Sequence, residues 1–480
     1  MIKKIRNILI LVLSMCMLFN TAAFAAVSAP SDIVAESAIL VEKSTGTVIY
    51  EKNADQKMYP ASMTKILTGL IALEHFNKED VITVGTEIND ISLDSSKAGH
   101  IVGEKITMEN LLRGLFIPSG NDSGAVIAVS VARKVENNEN LSANECLAIF
   151  ANMMNEKAEE LGCTNSNFEN PHGYHNENHY TTASDMAKIV SAAMDNETLS
   201  EIAAEKYFSG NSLGDLQSQY PDAITNDYNW QSHNMLIAAS SEYNYEYATG
   251  FKTGFTDEAG DCVAATAEKD GVQLIAVIMK SEDPARWTDA QKLFDYAFNN
   301  YSLETVAKSG ETVINVGLAQ QKSSEGEELE LVAKEDIVLY RPTEDFENME
   351  KTLNITTENI VEPKNEEDQT RIKAPVTQDD EIGTVTYKTA DGEEIATVSV
   401  YASRNIEKAN IFARMAYAVK DFVLSLFTLK GLLTALGAIV VIAIIIIIII
   451  IIIKLIRRRR GGFGGYGGGY RYKSSRRRRF

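Results

Sequence analysis

Cysteine is scarce in this chain of 480 residues. Only four cysteines occur, and one of them, Cys16, lies in the N-terminal segment. The other three, Cys146, Cys163 and Cys262, are an odd number, which does not indicate a disulfide framework. The sequence also lacks Cys-x-x-Cys pairs and the Cys/His spacings typical of zinc sites. We interpret the three cysteines as small buried apolar residues, and we predict neither a metal nor a cofactor.

Acidic residues are missing from both ends of the chain. Residues 26–453 contain all 66 Asp and Glu but only 32 Lys and Arg, so this part has a formal charge near −34. Such a surface does not bind nucleic acid through its phosphates, and we predict no nucleic-acid partner. An anionic substrate must therefore be held by individual cations rather than by the overall field.

The N-terminus has the pattern of a secretory signal peptide. Lys3, Lys4 and Arg6 precede a short apolar run, and Ala23-Phe-Ala25 matches a small-x-small cleavage site. We predict a signal peptide over residues 1–25. An uncleaved anchor is the alternative, but the apolar run is short for a membrane span.

A long apolar run rich in isoleucine lies near the C-terminus. Its 23 residues, Gly431–Ile453, reach about 34 Å as a helix, which is enough to cross a bilayer. Lys454 and Arg457–Arg460 follow directly, and basic residues collect on the cytoplasmic side of a membrane. We predict a single transmembrane helix over residues 430–453, a basic, Gly-rich cytoplasmic tail over 454–480, and a cell-membrane protein whose preceding residues are extracellular.

Residues 26–300 are predicted to place strands at both ends and helices between them. A hairpin pattern occupies residues 37–53, and a second strand pair flanks the turn Lys269-Asp-Gly271. Helical periodicity marks residues 62–76, 107–135 with a break at 118–120, 142–161, 184–194 and 287–298. This order predicts an α+β fold with one antiparallel sheet flanked by helices.

The chain changes character after residue 300. Strand-like alternation separated by turns dominates residues 301–402 and predicts a small all-β domain. Residues 403–429 return to helical spacing with one apolar stripe. We interpret them as an amphipathic helix on the membrane surface, and a packed or partner-facing helix remains nearly as good an interpretation.

Ser62-Met-Thr-Lys65 is the first pattern that indicates chemistry. On a helix, residues three apart share a face, so the hydroxyl and the amine can meet. A serine hydroxyl is a poor nucleophile unless a base takes its proton, and a lysine with a lowered pKa can act as that base. Alone, the pattern is more typical of a capping serine followed by an exposed lysine.

Two further patterns follow along the chain. Ser119-Gly-Asn121 lies at the break in an otherwise apolar helical region, where polar residues are costly unless they have partners. Lys252-Thr-Gly254 precedes a predicted strand and combines a cation, a hydroxyl and a glycine. On an edge strand, these residues form an anion pocket beside which a peptide can add as a further strand.

In this order, the three patterns resemble S-x-x-K, S-x-N and K-T-G of the serine penicillin-binding and β-lactamase superfamily. Asn170-Pro-His-Gly173 and the stretch from Gly250 to Thr256 look like one branch, the low-molecular-mass D-alanyl-D-alanine carboxypeptidases. The sequence departs from that branch at Tyr174, where leucine is usual, and at Ser123-Gly124, where alanines are frequent.

The resemblance implies the roles of the site residues. It implies a β-lactamase/transpeptidase-like fold and the catalytic residues Ser62, Lys65, Ser119 and Asn121. Ser62 would attack the penultimate D-Ala carbonyl and form an acyl-enzyme, and Lys65 would be the base. Ser119 would relay a proton to the leaving amine, and Asn121 would orient the lysine and the substrate amide.

The resemblance also implies how substrate is held. The implied substrate-binding residues are Lys252, Thr253, Gly254, Phe255 and Arg286. Lys252 and Thr253 would bind the terminal carboxylate, with Arg286 as an additional cation. The backbone N–H groups of Ser62 and Phe255 would form the oxyanion hole. The expected substrate is a peptidoglycan stem peptide ending in D-Ala-D-Ala, and β-lactams would be covalent inhibitors.

Two other functions remain open at this point. A serine β-lactamase would use the same nucleophile but would free it rapidly with a water activated by a glutamate. An inactive cell-wall-binding scaffold would keep the fold without the reaction. The C-terminal apolar helix and the additional β-rich region favour the carboxypeptidase.

Overall fold

The structure is a computed structural model of the chain that describes residues 28–363, 369–426 and 429–460. The predicted signal peptide and the tail beyond residue 460 lie outside the described residues. The chain divides into two units, Met1–Val306 with Val338–Asn348 and Ala307–Ile337 with Met349–Phe480.

Up to residue 307, the described chain alternates between strands and helices. The strands are β1 (Ser37–Glu42), β2 (Val48–Lys52), β3 (Val81–Thr83), β4 (Lys105–Thr107), β5 (Tyr207–Asn211), β6 (Asp227–Gln231), β7 (Ala248–Thr256), β8 (Gly260–Lys269), β9 (Val272–Ser281) and β10 (Tyr301–Ala307). The helices are α1 (Lys65–His75), α2 (Met108–Phe116), α3 (Asn121–Glu136), α4 (Ala143–Glu160), α5 (Ala183–Met194), α6 (Glu197–Ala204) and α7 (Ala285–Asn300). Short 3-10 turns occupy Ala61–Thr64, Thr86–Asp90 and Gly214–Gln219.

One antiparallel sheet with the strand order β2-β1-β9-β8-β7 organises this unit. Its strands alternate between two buried faces, as the period of two in a strand requires. In β1, Ile39 packs into the core that contains helices α1 to α6, whereas Ala38 and Leu40 face the core that contains α7. The sheet therefore joins strands from both ends of the unit, and β7 is an edge strand.

Beyond residue 307, the described chain is mainly strand until residue 402. The strands are β11 (Thr312–Ala319), β12 (Glu328–Val332), β13 (Ile337–Pro342), β14 (Glu350–Ile355), β15 (Ile360–Val361), β16 (Arg371–Lys373), β17 (Glu381–Lys388) and β18 (Glu394–Ala402). A 3-10 turn occupies Ser323–Glu325, and the helices are α8 (Thr343–Phe346), α9 (Ile411–Leu426) and α10 (Leu429–Arg460). Seven of these strands form one sheet in the order β14-β17-β18-β12-β11-β16-β15, while β13 pairs with β10.

Helix α10 contains the apolar C-terminal run. Within the described residues, Leu436–Ile456 is the one stretch that is long and apolar enough to cross a membrane, with a mean hydropathy of 3.9. Helix α9, which precedes it, exposes Phe412, Met415 and Val419. By length and composition, α10 fits a membrane anchor.

The predicted fold class is confirmed: an α+β unit with an antiparallel sheet, followed by an all-β region and an apolar helix. Two local details differ from the sequence-based expectation. Ser62 lies on a 3-10 turn, and the α-helix begins at Lys65. Helix α6 and the strand pair β5–β6 were not predicted. Strand β5, Tyr-Phe-Ser-Gly-Asn, has no buried residue and therefore no apolar alternation.

Candidate active site

Ser62 lies on a short turn that packs against β7. A β-carbon on Gly254 would lie 2.8 Å from the carbonyl oxygen of Pro60 and 3.2 Å from the backbone nitrogen of Ser62. Only glycine therefore allows β7 to approach the turn this closely. Gly173 approaches the same turn from the other side with a φ of +81°, and a β-carbon there would lie 1.7 Å from the carbonyl oxygen of Ala61.

Lys65 brings its ammonium nitrogen to the serine. Its Nζ lies 2.8 Å from Ser62 Oγ, 2.6 Å from Asn121 Oδ1 and 2.8 Å from the carbonyl oxygen of His172. The side chain is fully buried. Burial, and then the charge of Lys252, hold the pKa of Lys65 well below its usual value, and Asp122 opposes the shift. The neutral form of the Lys65 amine is therefore favoured beside Ser62.

Ser119 and Asn121 lie at the break between α2 and α3. Ser119 has a φ of +61°, which redirects the chain so that α3 starts at Asn121. The backbone N–H of Asn121 donates to the carbonyl of Ser96 over 2.9 Å. Ser119 lines the cleft, and its hydroxyl makes no hydrogen bond with another residue of the described part of the chain.

Lys252 is buried on the edge strand β7. Its Nζ donates to the carbonyl oxygen of Thr253 over 3.1 Å. Burial, and then the neighbouring charge of Arg286, lower the pKa of Lys252 to about 7. Lys252 therefore carries a full positive charge only below neutral pH in the free enzyme. Thr253, Gly254 and Phe255 continue along the wall of the cleft.

Arg286, at the start of α7, also lines the cleft, but its guanidinium group already has acidic partners. Its Nη1 lies 2.7 Å from Asp261 Oδ1, and its Nε lies 3.5 Å from Asp283 Oδ1. The guanidinium group also lies over the ring of Trp287, 4.4 Å from its centroid. These contacts orient the group and offset part of its charge.

These side chains meet around one cleft of about 1060 Å³. Ser62, Ser119, Asn121, Thr253, Gly254, Phe255 and Arg286 line it, and the buried Lys65 contacts Ser62 and Asn121 from behind. Lys252 lies within electrostatic range of Lys65. The structure thus brings together all nine residues that the sequence singled out.

Other residues of the site were not predicted. The carbonyl of His172 accepts a hydrogen bond from Lys65, and the neighbouring Asn-Pro-His-Gly pattern was the available signal. Asp122 accepts hydrogen bonds from the backbone N–H groups of residues 98–100, at 2.8 to 3.2 Å. This carboxylate fixes the loop beside Asn121, and its position next to Ser119-Gly-Asn121 was the only sequence signal.

A buried histidine supports the turn that carries Ser62. His179 Nδ1 accepts from the backbone N–H of Glu169 over 3.1 Å, so its Nε2 donates to Thr64 Oγ1 over 2.8 Å. Thr64 donates in turn to the carbonyl of Ala61. Burial, and then positive charge nearby, lower the pKa of His179 to about 3, so this chain of hydrogen bonds stays intact at neutral pH.

Comparison with known proteins agrees with this arrangement. The sequence profile of the D-alanyl-D-alanine carboxypeptidase family matches residues 23–283, and that of the C-terminal domain of penicillin-binding protein 5 matches residues 301–408. The chain is 30% identical over 394 residues to D-alanyl-D-alanine carboxypeptidase DacF of Bacillus subtilis, covering 81% of this chain and 90% of that protein.

A second relative and a solved structure are also similar to this chain. D-alanyl-D-alanine carboxypeptidase DacC of Escherichia coli is 27% identical over 425 residues, covering 85% of this chain and 93% of that protein. The fold is similar to the crystal structure of penicillin-binding protein 5 from Haemophilus influenzae, with a TM-score of 0.59 and 24% identity over 79% of this chain and all of that one. The chain belongs to the D-alanyl-D-alanine carboxypeptidase family.

Proposed function

We propose that Ser62 is the nucleophile of this enzyme, a D-alanyl-D-alanine carboxypeptidase. The observation that carries the proposal is the 2.8 Å distance from Ser62 Oγ to the Nζ of Lys65, a buried lysine whose pKa is held well below its usual value. A serine becomes a nucleophile when a positioned base takes its proton, and Lys65 is that base.

The contacts of Lys65 explain how the base is aimed. A neutral lysine amine has two N–H hydrogens and one lone pair. Asn121 Oδ1 and the carbonyl oxygen of His172 accept the two hydrogens, so the lone pair faces Ser62. The amine takes the hydroxyl proton as Oγ bonds to the carbonyl carbon of the penultimate D-Ala. The backbone N–H groups of Ser62 and Phe255 stabilise the resulting oxyanion.

Collapse of this intermediate gives the acyl-enzyme. The proton held by Lys65 passes through the Ser119 hydroxyl to the nitrogen of the terminal D-Ala, and the C–N bond breaks. Ser119 is suited to this transfer because its hydroxyl lies in the cleft without another hydrogen-bond partner in the described chain. Water then attacks the ester carbon while Lys65 takes a proton from it. The C–O bond to Ser62 breaks, Lys65 returns the proton to Ser62 Oγ, and the shortened peptide leaves with its new carboxylate.

The terminal carboxylate is held by β7, the strand against which the turn of Ser62 packs. The ammonium group of Lys252 supplies positive charge, Thr253 supplies a hydroxyl, and Gly254 lets the peptide backbone approach β7. Arg286 contributes a second cation that its acidic partners hold in place. The peptide itself adds beside β7 as a further strand.

The substrate class is a peptidoglycan stem peptide ending in D-Ala-D-Ala, and β-lactams acylate the same serine. The test measures D-Ala release from such a peptide by the wild type and by Ser62→Ala. Release by the wild type alone is expected, and equal release by both would refute the mechanism. A labelled penicillin should form a long-lived adduct at Ser62, whereas rapid turnover would indicate a β-lactamase.

We further infer that α10 anchors the enzyme with its catalytic unit outside the cell. The support is the span Leu436–Ile456 and the basic residues that follow it. Cys146, Cys163 and Cys262 are buried, so an introduced, exposed cysteine can report topology. Asp215→Cys should react with a membrane-impermeant maleimide on intact protoplasts, and Ser474→Cys only after lysis. The reverse pattern would overturn the orientation.

A further inference from the structure

We propose that His233 is a third group, beside Lys252 and Thr253, that recognises the terminal carboxylate of the substrate, and that it takes up a proton when this carboxylate binds. The inference rests on the proposed function of the cleft and names a residue that lies outside the three motifs.

The position of His233 supports a binding role. It follows β6 in a loop whose shape is fixed by local hydrogen bonds: the N–H of Asn234 donates to Ser232 Oγ, and the N–H of Leu236 donates to Asn234 Oδ1. Leu236 anchors this loop in the core beneath the sheet. The imidazole of His233 lines the cleft together with Thr253 and Arg286.

The imidazole has no internal partner. Within the described residues, it makes no hydrogen bond and no ion pair. A polar ring on an anchored loop at the wall of a cleft, left unpaired, is available to a ligand. Its neighbours in the cleft define which ligand that is.

The charges that act on His233 are positive. Desolvation at the wall of the cleft lowers the pKa of His233 first, and the charges of Lys252 on β7, Arg286 on α7 and Lys65 on α1 lower it further, although the residue remains exposed to solvent. Carboxylates also line the cleft, namely Asp94, Asp257 and Glu258. The net result is nevertheless a lowered pKa of His233, so the ring is neutral in the free enzyme at neutral pH.

A bound carboxylate favours the protonated form of His233 instead of the neutral one. Its negative charge among Lys252, Arg286 and His233 offsets the repulsion that the two other cations exert on the ring, and it raises the pKa of His233. The protonated ring then donates a charge-assisted hydrogen bond to the carboxylate. Between the lower pKa of the free enzyme and the higher pKa of the complex, binding therefore takes up a proton, and affinity rises as the pH falls.

The other two cations explain why this additional charge is useful. Arg286 is already paired with Asp261 at 2.7 Å. Lys252, with a pKa of about 7, has lost part of its charge at neutral pH in the free enzyme. His233 adds positive charge only when an anion is present. The empty cleft therefore does not contain a further unpaired cation, which would be costly.

Calorimetry on the full chain in detergent micelles tests this proposal. Ser62→Ala binds an N-acylated peptide ending in D-Ala-D-Ala without turning it over. Titrations near neutral pH in two buffers of different ionisation enthalpy give the number of protons taken up. We expect S62A/H233Q to take up fewer protons than S62A and to bind about tenfold more weakly, the loss of one charge-assisted hydrogen bond.

Two controls separate His233 from the other titrating groups. S62A/H175Q changes another histidine of the cleft and should keep the proton uptake of S62A. A peptide ending in a D-Ala amide should bind with no uptake that depends on His233. Equal proton uptake by S62A and S62A/H233Q would overturn the inference, because Lys252 would then account for all of it.

Failure of this inference is distinguishable from failure of the proposed function. If proton uptake does not depend on His233 while the wild type releases D-Ala and Ser62→Ala does not, only the role of His233 is refuted. If the wild type neither releases D-Ala nor forms a penicillin adduct at Ser62, the proposed function itself fails.

Discussion

The Nζ of Lys65 lies 2.6 Å from Oδ1 of Asn121, although 56 positions separate the two residues in the chain. This contact joins the first turn of α1 to the first residue of α3. It links the pair Ser62 and Lys65 to Ser119 and Asn121, so that one amine serves both motifs.

Replacing Asn121 with aspartate should shift the pH dependence of acylation. A carboxylate at this distance favours the charged amine and raises the pKa of Lys65. Because Lys65 must be neutral to accept the Ser62 proton, the acid limb of the rate should move to higher pH by the same amount. The rate of labelled-penicillin adduct formation, measured across pH, reports this shift. An acid limb in Asn121→Asp that coincides with that of the wild type would contradict the role of Lys65.

Lys252 should set the alkaline limb for substrates with a terminal carboxylate. Its pKa of about 7 means that its charge is present below neutral pH and is lost above it. We therefore expect kcat/KM to fall about tenfold per pH unit beyond this limb. Lys252→Arg keeps its charge at all these pH values and should abolish the limb, although at a lower maximal rate. An alkaline limb that persists in Lys252→Arg would assign it to another group.

Gly173 and Gly271 form a matched pair of glycines for substitution by alanine. Both have a positive φ, +81° and +82°, but a β-carbon on Gly173 would meet the carbonyl of Ala61, whereas Gly271 faces open space. Gly271→Ala should cost only the backbone strain, about 1 kcal/mol. Gly173→Ala must in addition displace the turn that carries Ser62.

We therefore expect penicillin acylation to fall at least about a hundredfold in Gly173→Ala, as expected for a misplacement near 1 Å. Gly271→Ala should acylate at the wild-type rate. Adduct formation and the thermal midpoint, measured for both variants, separate displacement from strain. Equal acylation rates would show that the contact of Gly173 with the turn does not matter.

The buried chain of hydrogen bonds from Glu104 to Ser123 predicts a coupling energy. Tyr228 donates to Glu104 over 2.6 Å, so its oxygen accepts from His100 Nδ1, and His100 Nε2 accepts from Ser123 over 2.8 Å. Ser123→Ala leaves a buried acceptor without a donor and should lower the free energy of unfolding by about 1–3 kcal/mol.

The loss of stability caused by Ser123→Ala should be smaller when His100, the acceptor, is also replaced. Ser123→Ala made in a His100→Leu background no longer leaves Nε2 unpaired, so the double variant should lose less than the sum of the two single losses. Denaturant unfolding of the four proteins, followed by tryptophan fluorescence, gives the coupling. Strict additivity would show that the 2.8 Å contact contributes nothing.

The elements that were predicted correctly have strong local signals. The hairpin β1–β2, the strands β8 and β9 around their Asp-Gly turn, and helix α5 with its Thr182 cap all follow from periodicity and turn residues. The hairpin β5–β6 was missed because β5 lacks a buried residue. In β6, the alternation of buried Tyr228 and Trp230 with exposed residues was the signal available.

The sequence by itself determined which residue types line the cleft, the order of the three motifs, the α+β architecture and the apolar C-terminal helix. Each of these follows from short-range spacing and composition. The tertiary structure alone decided the rest. The carbonyl of His172, 107 positions away in the chain, accepts a hydrogen bond from Lys65. Asp261 forms an ion pair with Arg286, and the charge of Lys252 acts on the unpaired His233. Burial and long-range distance lower the pKa of Lys65 and of Lys252, and neither is encoded in any local pattern.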